Sequence, residues 1–390
     1  MFVSDCLGVN ASGNLTIGGL DTVSLAEKFG TPLYVMDENE IRGNLRRFKA
    51  SMEKYYKGHG LVAYASKAFN CLAMCKIAAE EGVGLDIVSG GELHTALRAG
   101  FPADKMFFHG NNKTSVELAM AVENGVGRIV VDNVSELMVL NAIAKAAGKK
   151  ANILFRIKPG IDAHTHDFVR TGQIDSKFGL ALETGEALEA VRQAASLDGV
   201  VLKGLHCHIG SQIFDIDPFV HAAEVMISFI AQIKQETGIE IEQLNLGGGF
   251  GIKYLGSDDP APYEEYMRRV SGAVEARSKE LGVKEPYIII EPGRSIVGPA
   301  GITLYALAQL RRFPMCALCL GGRRYDRQPA LCALSLGIRS ADRQQGGRRA
   351  QRGVTVAGKC CEERRPAGRG HAHPALRGGR YPGGAGDRRV

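Results

Sequence analysis

The sequence predicts an α/β fold in which parallel strands, each followed by a helix, close into an eight-stranded (β/α)8 barrel. Two observations carry this expectation. Between residues 61 and 291, short apolar runs alternate with amphipathic helical stretches at the spacing of parallel βαβ units. The ends of those runs also carry polar or ionisable residues, and a barrel of this kind gathers its functional groups at one strand-end rim. The competing architecture, an open doubly wound sheet, calls for an early Gly-x-Gly-x-x-Gly. The only glycine triplet, Gly247–Gly249, comes far too late for it.

In chain order, residues 1–32 hold short apolar stretches broken by Gly and Asn, with one helix expected over 23–29. A strand is expected at 32–36. A helix over 38–55 then carries Ile41, Leu45, Phe48 and Met52 on one face. Strand-like runs follow at 61–65, 85–88, 106–109, 128–132, 152–157, 200–207, 243–246 and 287–291. Helical stretches lie between most of them, at 71–81, 91–98, 115–123, 135–146, 185–195, 218–236 and 263–281. With 32–36 the strands number nine, one more than the barrel takes, and the pattern leaves open which stands apart.

A chain of 390 residues is long enough for a large barrel and an appendage. No apolar run approaches the roughly 18 residues that span a bilayer. The first residues lack the order of a secretory signal. Nine cysteines without framework spacing point to a reducing, cytoplasmic setting. Cys71 and Cys75, four apart on a helix, read as core, so no metal site is expected. The net charge of +6 is unevenly placed. Residues 311–390 carry 18 Lys and Arg against 5 Asp and Glu, so the rest of the chain is acidic. That tail has only 11 Val, Ile, Leu and Phe among 80 residues, below the roughly 20% at which a core becomes hard to build. A nucleic-acid-binding tail would be basic in this way. This one has no helical or strand period, and no nucleic-acid partner is expected.

The chemistry collects at the strand ends. Lys67 follows the run 61–65, where a strand hands over to a helix; a lysine so placed can form a Schiff base with an aldehyde cofactor. Asp86, Ser89, His109, His206 and His208 end other runs. Gly247, Gly248 and Gly249 expose backbone N–H groups that can bind phosphate, or else make a tight turn. Glu291 can hold a proton on a pyridine nitrogen, or else pair with Arg294. His208 can stack on a ring, or else serve as a satisfied core histidine.

The strings YASKAF (64–69), LDIVSGGEL (85–93), FHGNN (108–112), FRIKPG (155–160), TGQIDSKFG (171–179), HCHIGSQI (206–213), LGGGFG (246–251) and EPGRSIVGPAG (291–301) resemble the diaminopimelate decarboxylases. These belong to the fold-type III pyridoxal-phosphate decarboxylases, which share a barrel with alanine racemase. The resemblance runs from about residue 15 to about residue 310. It implies pyridoxal 5'-phosphate as cofactor, held by Lys67, with His208 stacked on its ring. Ser211 and Gly247–Gly249 would bind its phosphate, and Glu291 its ring nitrogen. Pro292 and Gly293 would complete the cofactor site, and Arg294 would reach cofactor and substrate. GKCCEE (358–363) matches a family motif in which a cysteine and glutamate enter the partner protomer's site. Cys361 would then donate a proton to the substrate carbon, Glu362 would bind substrate, and a homodimer would share its sites. The reaction implied is meso-2,6-diaminopimelate to L-lysine and carbon dioxide, the last step of lysine biosynthesis. Arginine, ornithine or carboxynorspermidine decarboxylation on the same fold is the near alternative, and a non-catalytic pyridoxal-phosphate-binding protein a further one. FHGNN, HCHIGSQI and GKCCE favour diaminopimelate. A racemase would need a tyrosine base opposite Lys67, and none is located.

The domains expected are an N-terminal segment, 1–32, packing with a C-terminal β domain; the cofactor-binding barrel, 33–300; and 301–390, a remnant of that β domain. Family motifs vanish after about Arg311, return as GVTVAGKCCE (353–362) and vanish again. Codons chosen freely for residues 322–335 read, one base later, DGGMTDNPRSALY. Those chosen for 377–390 read EAGDILAVLATGA in the same shifted frame. Both resemble substrate- and cofactor-contacting segments of the family, so most of the tail is expected to be out of frame and the chain as written to be inactive or to aggregate.

Overall fold

The computed structural model describes residues 2–161, 178–312, 317–321 and 354–357. Eight parallel strands form the closed barrel: β1 (Gly60–Ala65), β2 (Gly84–Ile87), β3 (Met106–Phe108), β4 (Arg128–Val131), β5 (Ala151–Lys158), β6 (Val200–Cys207), β7 (Gln243–Asn245) and β8 (Tyr287–Ile290). Each pairs with the next, and β8 returns to β1 through Ile288 opposite Gly60 and Ile290 opposite Val62. The short strand Leu180–Ala181 runs on beside the end of β5, past the end of β4.

Helix α1 (Glu38–Tyr56) precedes β1. After β1 to β7 in turn come α2 (Leu72–Glu80), α3 (Gly90–Arg98), α4 (Ser115–Glu123), α5 (Val134–Ala146), α6 (Glu186–Ala195), α7 (Asp217–Thr237) and α8 (Tyr263–Glu280). α1 packs beside α8 and so closes the outer ring. Local chemistry starts these helices where the strands end. Asp37, Ser89, Thr114 and Asn133 each accept a backbone N–H of the first turn, and Thr114 and Glu117 form a reciprocal capping box.

The strands alternate between two cores. Ala63, Phe107, Val130, Leu154 and Ile289 form one buried cluster, the filling of the barrel. Their neighbours Tyr64, Phe108, Val131, Phe155 and Ile290 face outward into the core shared with the helices, which holds Leu45, Phe48 and Met52 of α1. The strand outside the barrel is the earliest one. Leu33–Met36 pairs antiparallel with Gly301–Leu304, and Leu7, Leu15, Ile17 and Ile302 bury a small separate core beneath it. Leu307–Arg312 pairs antiparallel with Ala317–Gly321, which pairs parallel with Val354–Ala357.

If the inner cluster holds the barrel closed, Phe107→Ala should lower the unfolding free energy by about 3–5 kcal/mol, seen as a drop in the urea midpoint. A loss below about 1 kcal/mol would mean that this layer contributes little.

Candidate active site

The same alternation builds the site. Two residues beyond the apolar filling, at the C-terminal ends of the strands, the inward positions turn polar. Asp86, His109, Asp132, Arg156, His206, Asn245 and Glu291 all lie in this next layer, and all are buried. Arg156 stacks its guanidinium over the Phe178 ring at 4.2 Å. Burial of so many ionisable groups is costly unless they pair or serve a ligand.

Glu291 stands at the centre of the layer, one residue past β8. Asn245 donates Nδ2–H to its Oε1 at 2.6 Å. His206 Nε2 lies 3.2 Å from Oε2. His109 Nε2 approaches Oε1 to 2.7 Å without hydrogen-bond alignment. Burial alone would raise the carboxyl, but the favourable electrostatics of the His109 and His206 ring nitrogens against it outweigh burial and hold Glu291 well below the usual carboxylate range. Burial pushes His206 down to about 3, so it is neutral at pH 7. Burial pushes Asp86 up to about 6, with His109 opposing and Glu291 adding.

Lys67 lies in the single turn Ser66–Ala68 that follows β1, with its side chain exposed at the rim. Its neighbour Ser66 is tied down: Ser66 Oγ donates to Glu92 Oε2 at 3.0 Å, and the same oxygen accepts from Val88 N at 2.7 Å. The segment after β8 can press against the end of β1 and this turn because Gly293 has no side chain; a Cβ there would sit 2.9 Å from that of Ala65 and 3.3 Å from that of Ala68. Lys67 is close enough to His208 that its charge, after burial, helps hold that imidazole well below its ordinary value.

The glycine triplet follows β7. A Cβ on Gly248 would lie 2.0 Å from the Glu291 carbonyl oxygen, and one on Gly249 2.4 Å from that of Gly210. Gly249 also has φ +109°, a conformation that favours glycine. Asn245 Oδ1 accepts from Gly247 N at 2.9 Å, so one side chain fixes both the loop and Glu291. His208 Nδ1 accepts from Gly248 N at 3.4 Å. Arg294 spans the loop's other side, donating Nη1–H to the Tyr254 hydroxyl at 2.6 Å and Nη2–H to Ser211 Oγ at 3.3 Å. Its buried Nε has no hydrogen-bond partner among the described residues.

Lys67, His208, Ser211, Gly247–Gly249 and Glu291–Arg294 thus share one end of the barrel. Glu291 does not pair with Arg294; the histidines and Asn245 take that place. Cys361, Glu362 and residues 171–177 of TGQIDSKFG lie outside the described residues. Asn245 and Tyr254 went unnoticed in the sequence. Asn245 has a signal, two residues after an inward Gln243 in a strand whose outward Leu244 is buried. Tyr254 has none.

Comparison with known proteins agrees with this geometry. The family described as pyridoxal-dependent decarboxylase, pyridoxal binding domain, matches residues 38–298. The diaminopimelate decarboxylase of Bacillus methanolicus is 46% identical over 366 residues, covering 93% of this chain and 84% of that protein. That of Mycobacterium tuberculosis H37Rv is 42% identical over 318 residues, covering 80% of this chain and 70% of its own length. Among solved structures, the diaminopimelate decarboxylase of M. jannaschii in complex with L-lysine superposes with a TM-score of 0.79 at 34% identity, covering 93% of this chain and 83% of that one.

The buried histidine makes a pH-dependent contribution whose sign is fixed. Between about 6.5 and about 3 an unfolded chain protonates His206 and the folded one does not, so stability falls as the pH drops through that window. Asp86 opposes it between 3.8 and about 6, where the folded chain alone keeps the proton. His206→Gln should therefore flatten the loss of urea midpoint between pH 6.5 and 4.5. An unchanged slope would mean that His206 is not held neutral.

Proposed function

This chain belongs to the pyridoxal-dependent decarboxylases, within them to the diaminopimelate decarboxylases, and on that premise we propose that it acts on meso-2,6-diaminopimelate, releasing carbon dioxide and leaving L-lysine. The observation that carries the reading is the buried Glu291 carboxylate, held by Asn245 and His206, beside a loop with no room for side chains. The residues fit pyridoxal 5'-phosphate on the structure's own terms. The loop has no room for Cβ atoms, and the buried Nε of Arg294 has no hydrogen-bond partner among the described residues, while Nη2 of the same side chain donates to Ser211 Oγ. When bound, the cofactor supplies an electron sink for the electron pair left as carbon dioxide departs.

The chain's own groups do the rest. Lys67 would hold the cofactor covalently and later accept and release protons at its amine. Glu291 would keep a proton on the ring nitrogen, as only an ionised carboxylate can. His208 would support the ring face, and Gly247–Gly249, Ser211 and Arg294 the phosphate. Pro292 and Gly293 set the turn that brings Glu291 and Arg294 to the same site. Arg294 would also meet a substrate carboxylate. By resemblance, Cys361 and Glu362 would complete a homodimeric partner's site, protonating the carbon and binding the far end of the substrate.

We propose as well that most of the chain after about Arg311 is the family's C-terminal sequence read one base out of frame, apart from about 353–362. Such a tail has too few apolar residues to bury a β-domain core. It also lacks the arginine and tyrosines that the shifted reading restores.

Two measurements test these readings. Borohydride reduction of the loaded protein should leave the cofactor attached to Lys67 in a peptide map; attachment at another lysine would overturn the site. Sequencing the coding DNA should reveal the two shifted readings. The frame-restored chain should form lysine, and Glu291→Ala in it should cut turnover by several orders of magnitude. Robust lysine formation by the 390-residue chain would defeat the frame proposal, and full activity of the Glu291→Ala variant would defeat the role of Glu291.

A further inference from the structure

The polar layer holds a second ligand chemistry. His109, His206 and Glu291 each offer a ring nitrogen or carboxylate oxygen within 4.8 Å of the others, and all three residues are buried. In a tetrahedral zinc shell with bonds of about 2.0–2.2 Å, neighbouring donor atoms lie about 3.3 Å apart. Here His206 Nε2 is 3.2 Å from Glu291 Oε2, near that spacing, while His109 Nε2 is 2.7 Å from the other oxygen, Oε1, and would draw back to share an ion. Asp86 Oδ1 stands 3.6 Å from His109 Nε2, close enough to offer a fourth donor.

A second observation points to a ligand. His109 Nε2 and Asp86 Oδ1 are buried, and neither makes a hydrogen bond among the described residues, although each lies beside a group of suitable type. Atoms that converge without aligning as donor and acceptor suit a shared cation better than each other. Two imidazoles and carboxylate oxygen form a set that binds zinc and its neighbours among the divalent transition metals, while carboxylate-only sites favour magnesium or calcium. The two carboxylates would also have their buried charge neutralised by the ion.

We propose that His109, His206 and Glu291, with Asp86 as a fourth donor, form a zinc-class divalent cation site in the cofactor-free protein, and that cofactor loading displaces the ion. The competition follows from Glu291, which cannot serve an ion and a ring nitrogen together. The cation site itself stands on the geometry alone; the competition rests on the function proposed above. His206 Nδ1 has no hydrogen-bond partner among the described residues, so this ligand lacks the outer support of a structural zinc site. A reversible, displaceable ion is the expected behaviour.

The test is a zinc titration of the cofactor-free full chain against a chromogenic chelator. One equivalent should bind. His109→Ala and His206→Gln, each checked for a native circular dichroism spectrum, should weaken it about tenfold or more. Lys67→Ala should bind zinc as the parent does. Pyridoxal phosphate should release the ion from the parent. Binding of less than one equivalent, or equal binding in the parent and both histidine variants, would overturn the site. Zinc that binds through the histidines yet is not released by the cofactor would leave the site standing and overturn the competition.

Discussion

One buried carboxylate constrains the rest of this structure. Glu291 sits inside the barrel, away from water, and a charge there is costly unless donors surround it. The surrounding groups are arranged for that purpose. Asn245 donates to it, and His109 and His206 stand against it, their rings 4.8 Å apart and edge to face. Removing any one of them leaves a charge less compensated, and the polar layer they belong to draws on seven different strands.

The barrel supplies this arrangement through a plain period of two. Inward residues change from apolar to ionisable between one level and the next, from Phe107 in β3 to His109 just past it and from Ile289 in β8 to Glu291 just past it. The lower level fills the barrel and the upper one holds charge. Asn245 then couples charge to shape, because its amide binds Glu291 and its carbonyl oxygen binds the glycine loop. Moving the loop would move the donor on which the carboxylate depends. Lys67 is positioned independently, through Glu92 and Ser66 at the opposite side of the β1–β8 seam.

Much of this was legible in the sequence, because strand-end polarity and glycine runs are local signals. The eight barrel strands and their helices fall where apolar runs and helical periods place them. Lys67, the triplet and Glu291 announce themselves by residue type. The strand outside the barrel was not legible, since a five-residue apolar run at 32–36 looks like any other until it pairs with Gly301–Leu304, some 265 residues away. The partners of Glu291 were hidden for the same reason. Asn245 is an ordinary amide in sequence and becomes decisive only when β7 lies beside β8. Arg294 looked like the ion-pair partner of Glu291, three residues away, but the turn through Pro292 and Gly293 sends it to Tyr254 and Ser211 instead.

The site as described requires above all that Glu291 be ionised in the free protein. A pH titration followed by carbon-13 NMR of labelled glutamate side-chain carboxyls, with Glu291 assigned by its loss in Glu291→Gln, tests this directly. The Glu291 resonance should stay at the ionised position while the pH falls through the ordinary glutamate value of 4.5. A Glu291 carboxyl already protonated at pH 7 would contradict it.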